Sequence, residues 1–367
     1  MDSEAVVVGA SAVGGVCAKE LSSLGVQTLL LEEHPAPGKF HKCSGIMSKK
    51  GLASLGVSLD GIVLNEVKGA RLFSERHELK IATSHSQAVV INRQAFDERA
   101  VFEAQEAGAK LVCNSRAEKF SSKGGTVSVQ SKSGTHSAKF LVGCDGASST
   151  VAREFGFPKL EAKDFVSAWE GEFTGLKVGE PDLVQLYFDQ KLFTNFFGWL
   201  IPVDETTARI GFATNSFESI RASKEAFLKS NLLSGAEFGS ASCACAREFN
   251  YVIPIKMRPK TQLGNVLLCG DAAGQVKATT GGGVVFGGKC AKIAAACVSE
   301  SIKTGKPLDY ETRWRKSLGK NLRMHELIRS AYSRMNDSLI SAFLFLAGIG
   351  LKGAIERFGD MDFIVKE

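Results

Sequence analysis

The chain has 367 residues, 44% of them hydrophobic and 23% charged, with a formal net charge of +6; that length suits two or three domains with sizeable cores. The charge is modest and scattered, and the lack of a Lys/Arg block argues against a nucleic-acid partner while leaving an anionic surface or an acidic protein open. The nine cysteines make no metal-ligand pattern, because Cys243 and Cys245 are the only close pair and no second pair or His lies near them. Cys17, Cys113, Cys144, Cys269, Cys290 and Cys297 fall in apolar segments, as free thiols of a reducing cytoplasm do.

In chain order, residues 4–9 (EAVVVG) read as a buried β-branched strand. Gly9, Ser11 and Gly14 follow in a G-x-S-x-x-G turn, a helix is predicted over 13–24 with Gly25 as its stop, and a second strand over 26–31 ends in Glu32 and Glu33. This is a βαβ unit in which the backbone around Gly9, Ser11, Ala12 and Gly14 suits a pyrophosphate. Glu32, 18 residues past Gly14, stands where an acid accepts hydrogen bonds from an adenosine ribose.

A turn-rich basic loop, residues 37–45, contains Cys43, Ser44 and Gly45; His41 and Lys42 beside Cys43 would favour its thiolate. Short strands are predicted at 71–74, 79–83 and 89–91, and a helix over 94–107 with Arg93 at its start and Asp97 one turn on. Strands at 110–113, 126–131 and 140–144 come next, the last ending in the turn residues Asp145 and Gly146, then a helix over 150–155. From about 163 to 254 the βα rhythm gives way to strands at 184–188, 197–201 and 208–213, with one helix over 217–232.

Residues 265–296 restore the first pattern: a buried strand, the turn Gly270-Asp271, a loop ending in Gly281, Gly282 and Gly283, and a small-residue helix whose start would attract negative charge. Residues 308–367 read as helices, strongly apolar over 341–355. The longest uncharged apolar run, 338–351, has 14 residues, short of the ~20 that span a bilayer. Residues 5–10 are too short a run for a signal peptide. A cytoplasmic protein is expected, with a peripheral membrane contact left open.

Together, the Gly9-Ser11-Gly14 turn with Glu32, the Arg93 junction, the Asp145-Gly146 turn and Gly270-Asp271 with its glycine tail resemble the flavoprotein hydroxylase and reductase superfamily. Cys43-Ser44-Gly45 and the stretch 271–283 are most similar to the geranylgeranyl reductase family within it. Phe197-Gly-Trp199-Leu-Ile-Pro202 resembles that family's aromatic-Gly-Trp-x-x-Pro motif, with Phe197 and Ile201 where Tyr and Phe are usual; Ser11 and Ala278 replace a Gly and a Pro.

The resemblance implies an α/β (α+β overall) fold: a Rossmann-like FAD-binding domain (1–69, 90–160 and 259–307), an inserted antiparallel-sheet substrate domain (70–89 and 161–258) and a helical C-terminal region (308–367). It implies FAD as cofactor, no metal, and reduction of double bonds in an isoprenoid lipid. The electron donor stays open between a reduced ferredoxin-like carrier and a reduced nicotinamide or deazaflavin. Cofactor contacts fall to Gly9, Ser11, Ala12, Gly14, Glu32, Glu33, Cys43, Ser44, Gly45, Arg93, Asp145, Gly146, Gly270, Asp271 and Gly281–Gly283. Cys43 is also the candidate catalytic residue, and Phe188, Phe197, Trp199, Pro202 and Phe212 are candidate substrate lining, with ordinary sheet core as their alternative. A flavin monooxygenase of an aromatic or polyketide substrate and a non-catalytic prenyl carrier on the same fold remain the other two readings.

Overall fold

The computed structural model describes residues 3–39, 42–216, 220–236 and 243–364. Its first sheet has six strands in the order Gln262–Leu263, Val266–Leu268, Phe140–Gly143, Ala5–Val8, Thr28–Leu31 and Lys110–Val112, parallel except for the first pair. The four central strands are buried on both faces, which is why they read as unbroken apolar runs. Val7, Leu30 and Val142 pack under the helices Ala12–Ser23, Arg93–Glu106, Val284–Thr304 and Tyr310–Tyr332. Val6, Leu31 and Leu141 point the other way, onto a three-stranded sheet of Ala117–Lys123, Thr126–Ser131 and Gly134–Ala138.

The second large sheet has seven strands, ordered Ala244–Pro254, Phe165–Thr174, Ala208–Thr214, Gly198–Pro202, Leu183–Tyr187, Gly69–Phe73 and Glu78–Ala82. It is not wholly antiparallel as expected, since Leu183–Tyr187 runs parallel to Gly69–Phe73. The strand Ala88–Ile91, which the expected boundary at 89/90 would cut, pairs instead with Ile46–Ser48 and Val63–Val67 in a small sheet of its own. The helix expected over 217–232 runs from Ile220 to Leu228, with its expected first residue outside the described ones. The apolar helix expected over 341–355 is two helices, Asp337–Gly350 and Lys352–Phe358, which break at Leu351.

Candidate functional site

A cavity of about 960 Å³ opens where the carboxyl ends of four neighbouring parallel strands meet the seven-stranded sheet. Ligands of open α/β sheets bind at such strand ends. Ser11, Ala12 and Val13 after the first strand, Glu33 and His34 after the second, Cys144 to Ser148 after the third, and Cys269, Gly270 and Asp271 after the fourth all line it. Lys42, Cys43 and Ser44, Arg93, and Gly281 to Val285 line it too. The far wall is one face of the large sheet: Ala168, Val184, Leu186, Trp199, Ile201, Tyr251 and Ile253. The cavity is therefore polar and glycine-rich at one end and apolar at the other.

The polar end is shaped by close backbone packing. Gly9 has φ +98°, and a Cβ there would sit 2.6 Å from the Cys144 carbonyl; a Cβ on Gly14 would fall on the Gly9 carbonyl itself. Ser11 can stand in the motif because it lies at the helix boundary, exposed and free of that crowding. At the second glycine run, a Cβ on Gly283 would lie 2.7 Å from Asp271 Oδ1. The helices starting at Ala12 and Val284 have no side-chain cap, whereas those starting at Lys49, Arg93, Thr150 and Asp337 are capped by Ser48, Asn92, Ser149 and Asn336. Uncapped first-turn N–H groups at a cavity wall, with the positive end of the helix dipole behind them, suit an anionic group.

Glu32 does not line the cavity. Its Oε2 accepts from Ala10 N (2.8 Å), and its Oε1 accepts from His34 N (3.0 Å) and lies 2.6 Å from His34 Nδ1. It thus ties the first turn to the second strand's end, and Glu33 and His34 form the rim. Asp145 accepts from Ser149 Oγ (2.6 Å) and Val151 N (2.9 Å), so it builds the turn as well as facing the cavity. Burial pushes the carboxyls of Asp145 and Asp271 up; the hydrogen bonds from Ser149 and Val151 oppose this at Asp145, and the charge of Arg93 opposes it at Asp271.

Arg93 is not on the surface. It forms a buried pair with Asp97 at 3.0 Å and lies beside Cys43, with Asp97 and Cys43 raising its pKa against the effect of burial. Cys43 Sγ accepts from Gly45 N at 3.4 Å. Gly45, at φ +74°, packs against the Ile91 carbonyl (2.7 Å from a built Cβ) and the Arg209 guanidinium instead of the cavity. Arg209 donates to Ser44 O (2.7 Å) and Ile91 O (3.1 Å) while paired with Glu172 at 2.9 Å, so the large sheet fixes the Cys43 loop. His41 lies outside the described residues.

Of the expected lining aromatics, Phe197 and Trp199 face the cavity. Phe212 is fully buried on the opposite face of the sheet with Trp169, Phe193 and Phe227, and Phe188 packs outward among Phe197, Tyr332 and the C-terminal helix. Pro202 ends its strand away from the cavity. Strand parity turns Phe212 and Pro202 away, since side chains alternate across a sheet, whereas Phe188 follows the end of the strand Leu183–Tyr187 and packs against the helix side.

Sequence reasoning missed three contributors. Glu170, in the same sheet row as Trp199 with Gly211 between them, accepts from Trp199 Nε1 at 2.9 Å; burial pushes its carboxyl up to about 7 against the pull of Arg209. Gly211 is required there, because a Cβ would lie 2.7 Å from the indole. Lys277 and Asp362 form a buried pair at 2.7 Å that seats Met361 and Asp362 in the cavity wall. Only Lys277, a lone cation inside a glycine-rich loop, carried a sequence signal.

The site's residues fit the FAD expected of them: two uncapped helix starts, a glycine cradle that a Cβ would fill, and a flanking apolar wall. Three proteins are similar to the chain over most of its length. A protein of Methanocaldococcus jannaschii described as uncharacterized is 29% identical over 98% of this chain and 92% of its own. Digeranylgeranylglycerophospholipid reductase 2 of Methanothermobacter thermautotrophicus is 27% identical over 94% of this chain and 91% of its own. The crystal structure of a geranylgeranyl bacteriochlorophyll reductase-like protein of Thermoplasma acidophilum superposes with a TM-score of 0.87, at 20% identity over 94% of this chain and 91% of that one, and shares the fold. The FAD binding domain model matches residues 2–287, and the chain belongs to that flavoprotein family.

Proposed function

We propose that the protein is an FAD-dependent reductase that saturates carbon–carbon double bonds of isoprenoid chains, those of geranylgeranyl ether lipids foremost. The observation that carries this reading is the two-ended cavity: a polar glycine cradle continuous with a wall of Val184, Leu186, Trp199, Ile201 and Ile253. Relatives named for digeranylgeranylglycerophospholipid reduction, matched over nearly their whole length, support the same chemistry.

Bound FAD, when reduced, supplies a hydride. The amides at Ser11 to Val13 and at Gly283 to Val285 hold its anionic and electron-rich parts, and Asp271 and Glu33 hold its hydroxyls. The apolar wall excludes water and orients the chain. Cys43, fixed through Ser44 by Arg209, contacts the reacting bond. Arg93 lies beside it, and Cys43 serves to orient the chain. In domain terms, residues 1–69, 90–160 and 259–307 carry the flavin, joined there by the strand Ala88–Ile91, and the substrate wall comes from 161–258.

The experiment is anaerobic incubation of FAD-loaded protein with a geranylgeranyl diether lipid. Dithionite, reduced ferredoxin, reduced nicotinamide and reduced deazaflavin serve in turn as reductant, and mass spectrometry reads addition of two hydrogens per bond. Cys43→Ala should keep the flavin spectrum and lose most turnover. A flavin-loaded wild type that adds no hydrogen to the lipid under any reductant would refute the assignment.

A further inference from the structure

The helix Asp337–Gly350 has no polar face. Ile340, Ser341, Leu344 and Ala347 are buried and pack with Leu79, Leu72 and Ile81 at the edge of the seven-stranded sheet. Its outward face is apolar as well: Leu339, Phe343, Phe345, Leu346 and Ile349 are all exposed, Leu346 at 63% and Ile349 at 73%. A surface helix in water shows charge opposite its buried stripe, and none occurs between Ser338 and Leu351. An exposed apolar patch of this kind marks an interaction site.

We infer that this face docks on an anionic lipid bilayer, lying in its interface without crossing it. Among the described residues no helix is long and apolar enough to span a membrane. Charge selects the bilayer over a second copy of the chain, because the patch is rimmed by cations. Exposed Arg334 precedes the helix, and Lys352, half-buried and 4.0 Å from Glu356, follows it. The Gln190 N–H donates to Asp337 (2.7 Å), which brings Lys191 to one end, and the His77 ring, 5.0 Å from that of Phe345, brings Arg76 alongside. Glu75, 3.9 Å from Arg76, and Glu356, beside Lys352, are acids next to them, while Arg334 and Lys191 stay exposed. Facing copies would oppose these cations to each other, whereas an anionic headgroup layer complements them. The inner side of the helix also leads to the cavity through rings in contact, Tyr332 to Phe188 at 5.9 Å and Phe188 to Phe197 at 5.6 Å, and Phe197 lines the apolar end. The proposal concerns binding alone and stands whichever reaction the cavity performs.

The test is co-sedimentation of the full-length FAD-loaded protein with phosphatidylglycerol/phosphatidylcholine vesicles and with phosphatidylcholine alone. Wild type should pellet with the anionic vesicles at least tenfold more than with neutral ones, and less as salt is raised. Phe343→Ser/Leu346→Ser/Ile349→Ser should stay in the supernatant with its flavin spectrum intact. Ile349→Trp, a single change that leaves the core untouched, should show a blue-shifted, quencher-protected emission component on vesicle addition. Wild type that stays in the supernatant, unchanged Ile349→Trp emission, or a wild-type dimer that the triple variant dissolves and that ignores vesicles would each overturn the proposal.

Discussion

Glu170→Gln tests the energetics of the cavity wall. Glu170 is 1% exposed, and its carboxyl sits at about 7 against an ordinary 4.5 because burial outweighs the pull of Arg209. A shift of that size corresponds to about 3 kcal/mol at 1.36 kcal/mol per unit. Below pH 4.5 the group is neutral in the folded and unfolded chain alike, and its stabilising contribution is fully present. Between 4.5 and 7 the unfolded chain ionises while the folded chain holds its proton, so that contribution is lost as pH rises; above 7 the loss is complete. Gln keeps an oxygen to accept from Trp199 Nε1 and has nothing to ionise.

Relative to wild type, the variant should therefore gain stability steadily from pH 5 to pH 7.5, by about 2.5 kcal/mol, or roughly 3 °C in Tm for a chain of this size. Asp97, Asp145, Asp271 and Glu326 are also held up by burial, so both proteins will lose stability across this range. The difference between the two melting curves, measured by near-ultraviolet circular dichroism with saturating FAD at each pH, isolates Glu170. A difference that stays flat from pH 5 to 8 would refute the reasoning.

Gly283→Ala places a methyl 2.7 Å from Asp271 Oδ1 and into the cavity; FAD affinity should fall at least about tenfold, ~1.4 kcal/mol, in a flavin fluorescence titration. Arg209→Met removes the donors to Ser44 O and Ile91 O and leaves Glu172 with Arg247 alone. Breaking such a buried pair costs about 3 kcal/mol, and amide exchange at 43–45 should rise while that at 5–8 stays protected. Lys277→Met strips the partner from buried Asp362, whose Oδ2 has no hydrogen bond among the described residues. The segment 360–364 should leave its seat, which limited proteolysis would read as new cleavage after Arg357.

The polar, glycine-rich end of this cavity was legible because its pattern is local. Gly9, Ser11 and Gly14 lie within one turn of chain, and Asp271 and Gly281 to Gly283 lie within another, so spacing alone reports them. The substrate wall was less legible because its strands are buried on both faces. Ala208–Thr214 and Gly198–Pro202 are buried at every position, so alternation gave no sign that Trp199 faces the cavity and Phe212 faces away. The polar ties were not legible at all: Arg209 reaches Ser44 across 165 residues and Lys277 reaches Asp362 across 85, and one sequence carries no signal that pairs them.

Those two ties explain how a cavity between two sheets keeps a defined width. The parallel sheet fixes the glycine turns, and the large sheet fixes Trp199 and Tyr251, but among the described residues no strand pairs one sheet with the other. Apolar packing between them is non-directional and would tolerate sliding. Arg209 removes that freedom on one side by gripping, from within the large sheet, the Ser44 carbonyl of the Cys43 loop and the Ile91 carbonyl that ends the strand Ala88–Ile91, and its Glu172 partner keeps the guanidinium from turning. On the other side Lys277, rooted in the loop after Asp271, holds the C-terminal segment that follows the exposed apolar helix.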